Sequence, residues 1–192
     1  MTITYLPATD YVTMPWKNGT GSTDEICLLP AGATRNAFDI RVSRADILAP
    51  GAFSSFPGVE RMITLIEGAG LALEFDDHTV QLGFGQPHGF DSGLTPVGIP
   101  TTGAVRVVNV MAARNTWQFA PADVLTEGKT LRPEAGGLIV VFALRGPSIL
   151  SGAEKNVSLR EGDSALLEAP ADLTLPECSA VLTVPLKPAA VA

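Results

Sequence analysis

The sequence predicts an all-β fold of sandwich or barrel type, and three observations carry that reading. Gly and Pro supply 34 of the 192 residues and cut the chain into short apolar stretches of strand length. No long stretch repeats its apolar residues with a helical period of 3.6. Hydrophobic residues nevertheless make up 46% of the chain, enough to bury a real core and to argue against disorder.

Taken in order, the strands are expected at 24–29 (DEICLL), 38–44 (FDIRVSR), 62–67 (MITLIE), 71–75 (LALEF), 78–82 (HTVQL) and 104–111 (AVRVVNVM), then at 138–144 (LIVVFAL), 148–150 (SIL), 155–159 (KNVSL), 163–168 (DSALLE) and 179–184 (SAVLTV). Gly-rich turns separate several of them, and "GAG" at 68–70 reads as a hairpin turn. One helical possibility stands in "APADVLTEGKTL" (120–131), a short helix after Pro121 that Gly128 would end. The composition changes there too. The second half repeats a motif of the first: an apolar strand ending at glycine ("MITLIEG", then "LIVVFALRG"), a strand pair, and a strand opened by a Gly-led turn ("REGDSALLEA"). Two related β-barrels with little helix follow, divided as 1–119, a bridging segment 120–131, and 132–192.

Charge narrows the function classes. Thirteen basic against 20 acidic residues give a net charge of −7. No stretch gathers the Lys and Arg that phosphate neutralisation needs, so nucleic acid is not an expected partner. No apolar run is long enough for a membrane span and the N-terminus has no signal-peptide pattern, so a cytoplasmic protein is expected. Cys27 and Cys178 lie far apart without C-x-x-C spacing, as reduced thiols would. Nine arginines against four lysines suit carboxylate recognition, since guanidinium groups grip carboxylates bidentately; a GC-rich genome gives the same excess.

The run "MPWKNGTGSTDEI" (14–26) has two readings. Asn-Gly is a strong hairpin-turn signal. Alternatively, Gly19 and Gly21 let the backbone approach a ligand to which Lys17 and Asn18 offer charge and amide donors.

The run "FSSFPGVERMITLIEGAGLAL" (53–73) resembles the first motif region of a cupin. A metal-binding cupin carries His-x-His shortly before a Glu, with a Gly seven residues after that Glu. Counting back from Gly68 reaches Arg61, and the paired-His positions fall around Ser54 to Pro57. A cation thus replaces a carboxylate ligand, and no metal or other cofactor is expected. Three blocks together resemble the HutD/Ves family of bicupins: 14–26, "FDIRVSRADILAPGAFSSFPGVERMITLIEGAGLAL" (38–73) and "VRVVNVMAAR" (105–114). The stretch "LTPVGIPTTGA" (94–104) departs from the family pattern. The resemblance implies a bacterial, cytoplasmic bicupin of RmlC-like jelly-roll barrels associated with histidine utilisation. It also implies binding of a small carboxylic acid, with N-formylglutamate as the proposed ligand, and no assigned catalytic activity. The block role raises Lys17 and Asn18 as site residues.

Strand alternation puts Arg61, Ile63, Leu65 and Glu67 on one face of "RMITLIE". Arg61 then points into the barrel mouth, where it meets a ligand carboxylate or an internal partner such as Glu60, Glu67 or Asp39. Trp16 either walls the same pocket or packs in the core. Asn109 interrupts an otherwise apolar or Arg-bearing strand, and either donates to a ligand or ties two strands together. Arg41 and Arg44 fall on opposite faces of their strand, with Asp46 the expected partner of Arg44. His78 belongs to a solvated hairpin tip. His88, near the second cupin motif region, is a candidate ligand-binding residue, and with Asp91 as orienting partner it or another ionisable group is a candidate base. A non-catalytic small-acid binder is therefore favoured over a metal-free isomerase, epimerase or lyase, and over a purely structural or protein-binding module. A homodimer is compatible with any of these.

Overall fold

The apolar stretches between the Gly and Pro positions are extended in the computed structural model, which describes residues 3–16, 19 and 21–190. The strands are β1 (Ile3–Leu6), β2 (Val12–Pro15), β3 (Gly21–Leu29), β4 (Ile40–Ile47), β5 (Gly51–Ala52), β6 (Val59–Glu67), β7 (Leu71–Glu74), β8 (Thr79–Leu82), β9 (Pro87–Asp91) and β10 (Val97–Pro100). They continue as β11 (Val105–Ala113), β12 (Trp117–Phe119), β13 (Asp123–Leu125), β14 (Lys129–Leu131), β15 (Leu138–Arg145), β16 (Ser148–Gly152), β17 (Asn156–Leu159), β18 (Ser164–Leu167), β19 (Ala171–Thr174) and β20 (Ala180–Pro188). The one helical element among the described residues is a 3-10 turn, Ala8–Asp10. All eleven stretches expected to be strands are strands. The chain divides into two compact units, Tyr11–Thr116 and the remainder on both sides of it.

In the unit Tyr11–Thr116, β2-β3-β4-β11-β6-β9 form a six-stranded sheet and β5-β10-β7-β8 a four-stranded one. Each barrel half is thus built of facing sheets, as in a jelly roll, rather than a closed ring of strands. The two sheets share one core, in which Ile47, Ile63, Leu65 and Val107 of the first meet Leu71, Leu73 and Leu82 of the second. The stretch 94–104, which departs from the family pattern, supplies β10, paired to both β5 and β7. Gly98 on β10 has no room for a side chain, since a Cβ there would lie 2.7 Å from the Phe53 ring.

The register of β4, β11 and β6 lays down what lines the inside. Val107 stands opposite Ala45 and Leu65, Asn109 opposite Ser43 and Ile63, and Met111 opposite Arg41 and Arg61. Because paired residues share a face, this face is apolar in the Val107 row and becomes polar from the next row, that of Asn109 and Ser43. A bulge between Arg106 and Val107 shifts the pairing with β6, and it lets Glu67 turn to solvent where alternation alone puts it on the Arg61 face.

The other unit repeats the plan. Its six-stranded sheet runs β1-β18-β15-β20-β12 with β13 also on β20, and its four-stranded sheet runs β14-β19-β16-β17. Ile139, Val141 and Leu167 of the first pack with Leu131, Leu150 and Leu173 of the second. Segment 120–131 is where the expected helix fails. It holds β13, whose Leu125 pairs with Val181, and β14, whose Leu131 pairs with Ala171. Its apolar residues are too few to make a helical stripe, and burying Leu125 and Leu131 on two sheets is worth more than a weak local preference. The N-terminal strand β1 is held here as well. Buried Asp163 accepts hydrogen bonds from the Tyr5 hydroxyl (2.8 Å), the Ala8 N–H (2.8 Å) and the Arg160 N–H (2.9 Å).

Candidate functional site

The polar end of the β4-β11-β6 face opens into a cavity of about 450 Å³. Its lining includes Arg35, Arg41, Arg61, Asn109 and Trp16, and among the described residues no acidic side chain lines it. Strand alternation brings Arg41, Ser43 and Asn109 to it from β4 and β11 together with Arg61 from β6.

Arg61 is 5% exposed. Its Nε donates to Ser92 Oγ at 3.2 Å, and its Nη2 donates to the same oxygen at 2.9 Å and to the Ser54 carbonyl at 3.2 Å. The guanidinium lies over the rings of Phe53, Phe90 and Phe56, at 5.0, 5.6 and 6.0 Å from their centroids. Among the described residues no carboxylate comes within ion-pair distance of it. The internal partners expected from sequence are engaged elsewhere: Glu67 with Arg106 at 2.8 Å and Glu60 with Arg114 at 4.0 Å. Burial, and then repulsion from Arg41, bring the Arg61 guanidinium down to about 9. It is therefore a cation at neutral pH, held by neutral oxygens and aromatic faces.

Arg41 is the second buried cation, and it does have an acid. Its Nε reaches both Glu25 oxygens, at 3.0 and 3.2 Å. Arg35 reaches the same carboxylate with its Nε at 3.0 Å, so one Glu25 serves two arginines and the neighbourhood stays cationic. This group escaped the sequence reading, although the signal was present: "IRVSRADI" alternates Arg41, Ser43, Ala45, Ile47 on one face just as "RMITLIE" alternates Arg61, Ile63, Leu65. Glu25, Ser54 and Ser92 come from distant segments and carry no local signature.

Trp16 stands between the cavity and the core. It lines the cavity and also packs against the core, with its indole N–H donating to Thr23 Oγ1 at 2.8 Å. The turn reading of the opening block holds for the backbone that is described: the Trp16 N–H donates to the Gly21 carbonyl at 2.9 Å and the Gly19 N–H to the Trp16 carbonyl at 3.0 Å. Gly21 is required there, because a Cβ would meet the Asp46 carbonyl oxygen and approach the indole to 3.0 Å. Lys17 and Asn18 lie outside the described residues.

Asn109 is 4% exposed and lines the cavity. Its Oδ1 has no hydrogen-bond partner among the described residues, so this oxygen does not tie the strands together.

His88 is not brought to the site. It stands opposite Ile63 on β9, stacks on Phe90 at 6.2 Å and does not line the cavity. Burial, then repulsion from His78, lower its pKa. Asp91 is not its orienting partner. That carboxylate accepts from the Gly93 N–H at 2.8 Å and pairs with Arg114 at 2.7 Å. Arg44 also departs from expectation, pairing with Asp24 at 2.7 Å, while Asp46 takes Arg106 at 2.5 Å. Partners on neighbouring strands lie closer than residues two apart along one strand. His78 sits at the β7–β8 tip, stacked on Phe75 at 4.6 Å and paired with exposed Asp77 at 2.6 Å. Among the described residues no group of three or more His, Cys, Asp or Glu is placed to hold a metal ion, and no helix is long and apolar enough to cross a membrane.

Comparison with known proteins agrees with this architecture. A protein Ves from Citrobacter koseri is 56% identical over 59 residues, 31% of this chain and 30% of that protein. An uncharacterised 21.2 kDa protein in the hutC 3′ region of Pseudomonas putida is 46% identical over 71 residues, 37% of each chain. These matches span only about a third of the curated relatives' length. Among solved structures, HutD from Pseudomonas fluorescens SBW25 superposes with a TM-score of 0.82 at 28% identity, covering 98% of this chain and all (100%) of that one. The nickel(II) complex of the bacterial pirin YhhW from Escherichia coli, at 11% identity and a TM-score of 0.71 over 98% of this chain and 100% of its own, shares the fold alone. The HutD family model matches residues 8–183, and with the two-unit cupin-like architecture described above, the chain belongs to the HutD family.

Proposed function

We propose that this protein binds a small carboxylic acid in the Arg61 cavity and serves a sensing or restraining role in a catabolic pathway of the cytoplasm. The observation that carries the reading is the buried Arg61 guanidinium, which faces an open cavity and lacks a carboxylate partner among the described residues. Burying such a charge without an acid is costly, and a ligand carboxylate in the cavity offsets that cost with charge-assisted hydrogen bonds. Three lining arginines and no lining acid favour an anion over a neutral or cationic ligand. The resemblance to the HutD/Ves family implies histidine utilisation as the pathway and an N-formylglutamate-like acid as the ligand. That His88 is not among the residues lining the cavity supports binding over acid-base chemistry.

Calorimetry with N-formylglutamate and related dicarboxylates tests this reading. Wild type is expected to bind. Arg61→Lys keeps the charge but loses the planar fork, and removing a charge-assisted bond of this kind weakens affinity by about 10- to 150-fold. Arg61→Ala should weaken binding at least as much while the protein stays folded. Equal binding by wild type and Arg61→Ala removes the site from this cavity.

A further inference from the structure

We infer that the acid admitted to this cavity carries a hydrogen-bond donor, an amide N–H or a hydroxyl, close to its carboxylate, and that Asn109 is the residue that reads it. The inference rests on the binding reading above and adds which acids the cavity selects.

The observation is the Asn109 carboxamide oxygen, buried and unpartnered among the described residues in a residue 4% exposed that lines the cavity. Buried carboxamide oxygens almost always accept a hydrogen bond, and leaving one empty is unfavourable. Several nearby donors are turned to other acceptors, Arg41 Nε to Glu25, Arg61 Nε and Nη2 to Ser92 and Ser54, and Trp16 Nε1 to Thr23, and no donor among the described residues reaches Asn109 Oδ1.

Register fixes the spacing. Asn109 pairs with Ser43 on one side and Ile63 on the other, one inward row from Met111, which pairs with Arg41 and Arg61. Asn109 is thus the diagonal neighbour of both arginines, at a Cα separation of about 7–8 Å. A ligand held by Arg61 therefore presents its next few atoms to Asn109.

The chemistry of that oxygen discriminates. It repels a second carboxylate or a bare carbonyl, and a methylene group leaves it unpaired. An N–H or O–H on the ligand satisfies it. N-acyl amino acids and hydroxy acids meet the requirement, whereas unsubstituted acids do not. Sites that hydrogen-bond a ligand group in this way reject the analogue lacking it, because the protein's own buried atom is then stranded.

Two matched pairs of probes test the inference by calorimetry on the full chain. 2-Hydroxyglutarate and glutarate differ by the hydroxyl alone. N-Formylglutamate and N-formyl-N-methylglutamate differ by the N–H, with a methyl in its place. Wild type is expected to bind the donor-bearing member of each pair about 10- to 100-fold more tightly. Asn109→Leu should erase the difference between 2-hydroxyglutarate and glutarate, with a thermal midpoint equal to or above that of wild type. Equal affinities within both pairs on wild type overturn the inference, and so does discrimination that persists in Asn109→Leu. A lowered midpoint in Asn109→Leu assigns Asn109 to the framework and also overturns it. Binding without discrimination that Arg61→Ala abolishes overturns this inference alone. Failure of all four acids to bind wild type overturns the Arg61 reading with it.

Discussion

At the scale of single residues, the protein holds an arginine where its own stability would favour something else. Burial is the largest reason the Arg61 guanidinium sits as low as about 9, with Arg41 adding repulsion. A cation whose native value is depressed destabilises the fold at every pH below that value, and neutral pH lies inside the window. Arg61→Met, similar in length and apolar, is expected to raise stability in the absence of ligand by about 1–3 kcal/mol while abolishing acid binding. Denaturant titration of the two proteins measures the first effect and calorimetry the second. A loss of stability in Arg61→Met would mean that the bonds to Ser92 and Ser54 and the three aromatic faces outweigh the desolvation. Arg61 and the alternation around it were legible in the sequence. The missing acid was not, because which carboxylates approach Arg61 depends on strands brought together from 30 or more residues away.

At the scale of elements, the β2–β3 hairpin and the anchoring of β1 show how a few backbone contacts fix a strand. A methyl group at Gly21 would collide with the Asp46 carbonyl oxygen on β4 and lie 3.0 Å from the Trp16 indole. Neither a paired backbone nor a packed indole can give way cheaply. Gly21→Ala is expected to cost about 1–3 kcal/mol and to disturb Trp16, which a fall in thermal midpoint with a shift in tryptophan fluorescence would record. In the other unit, Asp163 gathers the Tyr5 hydroxyl and two backbone N–H groups, and the hydrogen bond that Tyr5 donates to it raises the Tyr5 pKa. Asp163→Ala strands those donors and should cost about 2–4 kcal/mol, with amide exchange increasing first over Ile3–Leu6. The elements missed in the sequence, such as β5, β10, β13 and β14, are short and rich in Gly, Pro or charge. Their strand character comes from neighbours that supply the hydrogen bonds, not from local pattern.

At the scale of the whole molecule, the same two-sheet plan is used twice, and the cationic cavity described above lies in the unit Tyr11–Thr116. Arg61 stands at the position where a metal cupin carries a carboxylate, and the preceding Ser, Phe and Pro replace imidazoles. Elemental analysis of protein purified without an affinity tag is expected to give well under one transition metal per chain, and chelation should leave the thermal midpoint unchanged. About one metal per chain would contradict this.

By itself, the sequence determined the all-β class, eleven of the strands, the family and the inward-facing strand position of Arg61. These follow from period-two alternation, Gly and Pro punctuation and rare residues, all local in the chain. Tertiary structure alone decided that segment 120–131 is strand rather than helix, that Glu25 joins Arg41 to Arg35, and that His88 stays off the cavity lining. It also decided that Asn109 Oδ1 meets no donor among the described residues. Those facts depend on register between strands distant in sequence, where side chains become neighbours only after the sheets have formed.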